Sequence, residues 1–340
     1  MRRRFFFVII FLIFLESPQV VLSLNIVQNG TYVKYALLAP TGREKNEINI
    51  FEVYLPWLPK DAREAINEHL EETNREKLIS LFVRGDVFIT LNISDVRNNI
   101  ALVNITLQLN DVWVNNRHHI PQLNISRTLV LDTMTMEYKT KNNITLGRPI
   151  FFIDPIHPPK KGSLMVNMKP VKELGAITKN LVVGNISYQW GENSRLHTYY
   201  RVFQPPYIYV SSSVVPFNWE IDGGYYSATI GTYYVYDFDT GVLITAYSDV
   251  SPELLALGVI NGDSYDYLAA ENMDKLEKKG TKYELWNPGF NLYDTNIEFP
   301  ETSSTAAPRT GMRYFFLLSL TCLIITYSMT QAKLLLQNNR

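Results

Sequence analysis

The chain has 340 residues, 32 basic and 33 acidic, of which 46% are hydrophobic and 19% charged. That composition supplies a core to bury and excludes a disordered coat. Apart from its two ends the chain is mildly acidic and carries no Lys/Arg cluster, which gives no support to nucleic-acid binding.

The first predicted element is an export signal. Arg2, Arg3 and Arg4 precede an apolar run from Phe5 to Leu15, which Glu16, Ser17 and Pro18 then end. The run is too short to cross roughly 30 Å of hydrocarbon. Cleavage is expected after Ser23, which gives a signal peptide at 1–23; an uncleaved anchor is the competing reading, because Val20, Val21 and Leu22 extend the apolar stretch. Residues 24–298 then form a β-rich extracellular domain.

Within it, Asp61 followed by Glu64 reads as a capping box, and Ala65, Ile66, Leu70, Leu78 and Leu81 fall at helical spacing, which predicts a helix over 62–81. Strands follow. Val87, Ile89, Leu91 and Ile93 alternate with Thr90, Asn92 and Ser94, and Ala101, Val103, Ile105, Leu107 and Leu109 alternate with Asn104, Thr106, Gln108 and Asn110. Successive strand side chains point to opposite faces, so this half reads as an antiparallel sheet with one buried and one wet face.

Six Asn-x-Ser/Thr triplets, none with a central proline, begin at Asn29, Asn92, Asn104, Asn124, Asn143 and Asn185. They are candidate glycosylation sites. Around 92, 104, 124 and 185 the asparagine and the hydroxyl residue share the polar strand face, while the residue between them points into the core. Sugars there would also hinder edge-to-edge pairing between molecules.

His157-Pro-Pro-Lys-Lys-Gly162 interrupts the pattern, a lobe break near 150–162 if there are two lobes; one continuous unit is the favoured reading. Ser251-Pro252 caps a short helix through Leu257, and a further helix is expected over 266–279, stopping at Gly280.

Each catalytic or metal-binding pattern in the chain also has a plainer reading. Asp239-Thr240-Gly241 matches the triplet that supplies one carboxylate of an aspartic peptidase, and Asp132-Thr133 offers an approximate second copy. Met134 replaces the second glycine, and Val242 stands where Ser, Thr or Ala is usual. The favoured alternative is a hairpin with strands at 233–236 and 242–247 and a turn at 237–241, where Gly241 supplies a positive φ. Of the five histidines, His118 and His119 are adjacent, so a strand would aim them at opposite faces. His69, His157 and His197 show no ligand spacing, and no metal or cofactor is expected. Gly262-Asp263-Ser264 resembles a hydrolase serine motif only in letters. Tyrosines at 199, 200, 207, 209, 225, 226, 233, 234 and 236 read either as strand residues or as an amphipathic binding face.

The chain closes with a Ser/Thr/Pro-rich stalk at 299–311, an apolar run at 312–329 with Arg313 at its outer edge, and a tail at 330–340. The apolar run is expected to span the membrane as one helix, leaving a cytoplasmic tail too short for a signalling domain. The only cysteine, Cys322, lies in that run, so the extracellular part is held without disulfides. Such usage is common on prokaryotic surfaces and unusual among animal secreted proteins.

Gly30-Thr-Tyr-Val-Lys-Tyr35 and Tyr236-Asp-Phe-Asp-Thr-Gly-Val-Leu243, with the sequons and the two apolar ends, give a chain that resembles archaeal exported, sequon-rich cell-surface proteins with a C-terminal membrane anchor. The resemblance implies a β-rich extracellular domain with a curved sheet and transfers no functional residue. The expected fold is mainly β (α+β), a curved antiparallel sheet or sandwich with one to three helices, plus the C-terminal transmembrane helix. The expected function is non-enzymatic: a single-pass cell-membrane glycoprotein with a binding or structural role at the envelope, its partners the membrane, envelope proteins or glycans. The alternatives are an acid hydrolase using Asp239 and Asp132, and an apolar-ligand carrier.

Overall fold

The computed structural model describes residues 26–40, 42, 47–70, 77–140, 144–189, 194–221 and 224–300. The expected signal at 1–23, the stalk beyond residue 300, the 312–329 helix with Cys322, the tail and Asn143 lie outside them. Among the described residues no helix is long and apolar enough to cross a membrane.

Twelve antiparallel strands form a ring: β1 (Tyr32–Leu37), β2 (Val87–Arg97), β3 (Ile100–Val114), β4 (His118–Asp132), β5 (Glu137–Lys139), β6 (Thr145–Gly147), β7 (Leu164–Val166), β8 (Leu181–Gln189), β9 (Tyr207–Ser212), β10 (Thr232–Asp237), β11 (Leu243–Ser248) and β12 (Phe290–Thr295). Each pairs with the strand before and after it in this series, and β12 returns to β1, with Val33 opposite Thr295 and Ala36 opposite Asn291. The expected curved sheet or sandwich is therefore a closed up-and-down barrel. Its closing contact joins residues some 260 positions apart, which no local pattern of apolar residues announces.

The wall β2–β4 is built from strands of 11, 15 and 15 residues. Val87, Ile89, Leu91, Val103, Ile105, Leu107, Ile125 and Leu131 are buried inside it. Thr90, Asn92, Asn104, Thr106, Gln108, Asn124 and Ser126 occupy the outer phase. A lipid-spanning barrel shows the opposite pattern, an apolar outer band.

The opposite side is less regular. Strands β5, β6 and β7 have three residues each. The interior beside them is filled by chain: residues 150–153 are buried and pair with the start of β11, through a bridge of Phe152 with Val242 and the bond from Ile153 N–H to Gly241 O at 2.9 Å. Gly241 has φ +72°, and a Cβ there would stand 2.2 Å from the Ile153 carbonyl oxygen. Only glycine allows this approach.

Four α-helices are described: α1 (Lys60–Asn67), α2 (Lys169–Glu173), α3 (Pro252–Leu257) and α4 (Tyr267–Lys278). The expected 62–81 helix is corrected. α1 ends at Asn67, and Leu78–Val83 is a strand paired with Asn49–Tyr54 on one side and with β3 on the other. Leu78 and Leu81 fit helical spacing, but Ile79, Leu81 and Val83 fit the period of two and are the buried set. Nor does Asp61 cap α1, because the helix starts a residue earlier with Pro59 in the cap position. By contrast, the Ser251 hydroxyl accepts from Leu254 N–H and starts α3, and Gly258 ends it at φ +90°. Asp266 caps α4 in the same way, accepting from Ala269 N–H.

All six residues of α3 are buried, and the helix packs on β3, β4 and β6. A helix that is buried around its whole circumference, and apolar but for Glu253, belongs in an interior, and here it lies within the ring. The strands Asn49–Tyr54, Leu78–Val83 and Val259–Gly262 branch from the far end of β3. A separate hairpin, Val215–Ile221 with Gly224–Ile230, follows β9.

Candidate functional site

The sequon asparagines are placed by strand register. Asn29 lies in the turn before β1, Asn92 on β2, Asn104 on β3, Asn124 on β4 and Asn185 on β8; all five are exposed. Asn92 stands directly opposite Asn104, Asn104 opposite Thr128, and Gln108 opposite Asn124. The Thr128 hydroxyl donates to Asn104 Oδ1 at 2.6 Å, and the Thr106 and Ser126 hydroxyls meet at 2.9 Å. The outer face of β2–β4 is thus a ladder of uncharged amides and hydroxyls, with the middle residue of each triplet, Ile93, Ile105 or Ile125, buried behind it. An amide nitrogen held at such a face can take a bulky sugar without disturbing the core.

The two candidate aspartates stand apart. Asp132 ends β4, accepts from Met134 and Thr135 N–H, and bonds Lys139 Nζ at 2.8 Å. That lysine is the main reason its carboxyl sits below the usual range. Asp239 is exposed in the β10–β11 turn, where the expected hairpin forms. The buried acid of that turn is Asp237, which takes Thr240 N–H at 2.9 Å and the Thr240 hydroxyl at 2.7 Å. Counted round the ring, the β4–β5 and β10–β11 hairpins are five strand steps apart in either direction. Carboxylates on opposite walls cannot share a proton as a catalytic pair does.

His119 bonds Asp111 at 3.1 Å and packs on Trp113, His157 bonds Asp154 at 3.0 Å, and His197 approaches Glu284 at 3.4 Å. His118 and His69 are partly exposed. Among the described residues no group of three His, Cys, Asp or Glu side chains could hold a metal ion. Ser264 is buried and donates to Ser248 O at 3.0 Å, a tie between chain segments.

The tyrosines divide by face. Tyr234 and Tyr236 are interior, with Tyr35 of β1 and Tyr138 of β5, whereas Tyr207 lies on the outer phase of β9, buried beneath the segment whose Ser194 and Phe203 carbonyls accept from its hydroxyl. Tyr233 and Tyr247 face outward from β10 and β11, and Tyr209 packs on Tyr233 with centroids 6.1 Å apart. Tyr188 is exposed near the end of β8. Tyr199 is half-buried, its hydroxyl donating to both oxygens of Asp266 at 2.8 and 2.9 Å.

Sequence reasoning missed the buried acids. Glu253 of α3 lies within the ring, its Oε1 accepting from Ile150 N–H at 3.0 Å. Burial pushes its carboxyl up to about 7. Its other oxygen and the Tyr138 hydroxyl face each other without completing a hydrogen bond of ordinary geometry. Asp266 is pushed up to about 6 by burial, and Asp249 to about 7 by burial and by the charge of neighbouring Asp263. The signal for Glu253 was present in Pro-Glu-Leu-Leu-Ala-Leu, where one acid sits in an otherwise apolar helix. At the barrel end, a cleft lined by Met136, Arg148, Phe152, Asp154, His157 and Tyr236 leaves about 20 Å³ free, room for about one water.

No protein-family model matches this sequence, and comparison with curated proteins and with solved structures gives no match.

Proposed function

We propose that this chain is a membrane-anchored extracellular glycoprotein whose barrel serves a binding or structural role at the cell envelope. The observation that carries the reading is the placement of Asn29, Asn92, Asn104, Asn124 and Asn185, all at the surface, four of them on outward strand positions with an isoleucine behind. The reading also draws on the export signal and the 312–329 anchor expected from the sequence. Among the described residues, the buried segment 150–153 and α3 occupy the ring, and the hairpins that carry Asp132 and Asp239 lie on opposite walls of it; both observations favour the non-enzymatic reading over the carrier and hydrolase alternatives.

Protease added to intact cells is expected to remove the barrel while leaving a membrane-bound stub. Glycopeptide mass spectrometry of the membrane-extracted chain is expected to find sugar on the sequon peptides. A chain recovered whole from cytosol, with every sequon bare, overturns the proposal.

A further inference from the structure

Asn185 differs from the other sequons in what lies beside it. Across the sheet from β8, Asn185 stands opposite Ser211 of β9, Ser211 opposite Tyr233 of β10, and Tyr233 opposite Tyr247 of β11. Residues directly opposite one another share a face, so these four form one row on the outside of the barrel. Asn185, Tyr233 and Tyr247 are exposed, the two tyrosines at 39% and 37%.

Neighbouring strands lie about 4.8 Å apart, which puts Tyr233 roughly 10 Å from Asn185 along the row and Tyr247 one further step on. Ser211 is the smallest side chain of the row and leaves the path between them low. Tyr209 lies beside Tyr233 with its ring inclined by 31°, so the two rings make a continuous floor. The Tyr209 hydroxyl is tied to Gln189 on the sequon strand itself. A tyrosine ring offers an apolar face and a polar edge, the combination that a sugar with its C–H face and hydroxyl rim needs.

We infer that the row Ser211–Tyr233–Tyr247, flanked by Tyr209, is a platform for the glycan attached to Asn185, which lies down along the barrel wall. The inference rests on the proposal that the sequons carry sugar. On the opposite wall the Asn92 row also reaches a tyrosine, Tyr32, but that hydroxyl is committed to Asp294 at 2.8 Å. Asn104 belongs to that same row, between Asn92 and Thr128, and the row of Asn124 runs through Gln108 to Phe88, whose ring lies under Lys34 Nζ at 4.1 Å. A folded-down sugar covers two aromatic rings that would otherwise invite association.

The test is hydroxyl-radical footprinting, read by peptide mass, of the full chain extracted from the membranes of cells that make it. It compares the unaltered protein with Asn185→Gln and with Ser187→Ala, which removes the sequon while keeping the asparagine. Tyr233 and Tyr247 are expected to label several-fold faster in both variants. Tyr225, 71% exposed on the separate hairpin, should not change. Equal labelling in all three proteins, with sugar found on Asn185, overturns the platform and leaves the glycoprotein reading standing. A bare Asn185 in the unaltered protein overturns the platform and removes that site from the glycoprotein reading as well.

Discussion

The two sides of the barrel are built on different terms. The wall β2–β4 has long strands whose cross-strand partners run almost unbroken from Ile100 opposite Asp132 to Val114 opposite His118. The side containing β5–β7 has strands too short to hold one another, joined in one place by the single pair Gly147 and Val166. What holds it is the material inside the ring. Tyr236 Oη donates to Ile150 O at 2.8 Å, Tyr35 Oη donates to Leu243 O at 3.0 Å and to Phe151 O at 3.2 Å, and Glu253 takes the Ile150 N–H. One wall is stabilised by its own ladder, the other by a buried insert, and the polar groups needed to hold an insert bring titratable chemistry into the core.

On that contrast the insert is the sensitive part. Phe151 is fully buried, between Tyr35 and Phe290. Phe151→Ala is expected to lower stability by about 3–5 kcal/mol, read from denaturant midpoints at constant slope. A small loss would show that the short strands hold themselves.

Glu253→Gln addresses the titration. The carboxyl has an ordinary value of 4.5 and titrates at about 7 in the fold, so between those values the folded chain keeps a proton that the unfolded chain releases. Stability is therefore full below the lower value and falls as pH rises to the higher one. The variant should flatten that slope, with an advantage on the order of 3 kcal/mol at pH 8 that fades towards pH 4.5. Parallel stability–pH curves for the two proteins would contradict it.

Gly241→Ala strikes the joint between the insert and β11. A positive φ and a methyl against the Ile153 carbonyl are expected to cost about 1–3 kcal/mol, visible as a lower melting temperature. On the long wall, Gln122→Thr changes an exposed outer residue and should stay within about 0.5 kcal/mol by the same measurement.

The same contrast decides what the sequence made legible. The period of two in 87–94 and 100–113 placed the core face and the sequons of β2–β4 correctly, because each of those strands faces water on one side only. The hairpin at 233–247, the cap Ser251 and the helix over 266–279 were readable for a similar reason, since turns, caps and stop signals are local chemistry. Residues 78–83 misled because Leu78 and Leu81 satisfy two periods at once, and their pairing with Asn49–Tyr54 decides between them. Three-residue strands carry no period at all. The buried role of Glu253 and the insert at 150–153 depend on ring closure, a property of chain ends far apart in sequence. Of the candidate sites, the sequon positions were visible one by one; the line from Asn185 to Tyr247 crosses four strands and appears only when their registers are laid side by side.

The seam between the first and last strands has a consequence for biogenesis. Tyr32 N–H donates to Asn296 Oδ1, Asn296 Nδ2 donates to Gly30 O, and the Thr295 hydroxyl donates to Tyr32 O, so the staves of the cask are hooped by residues that leave the ribosome long after the first stave. Until that final stave arrives, the emerging polypeptide presents two raw margins to its neighbours. Whatever keeps the chain unpaired until β12 has been made therefore spares it from linking to other copies, and a nascent chain stalled before residue 290 is the form most prone to clump.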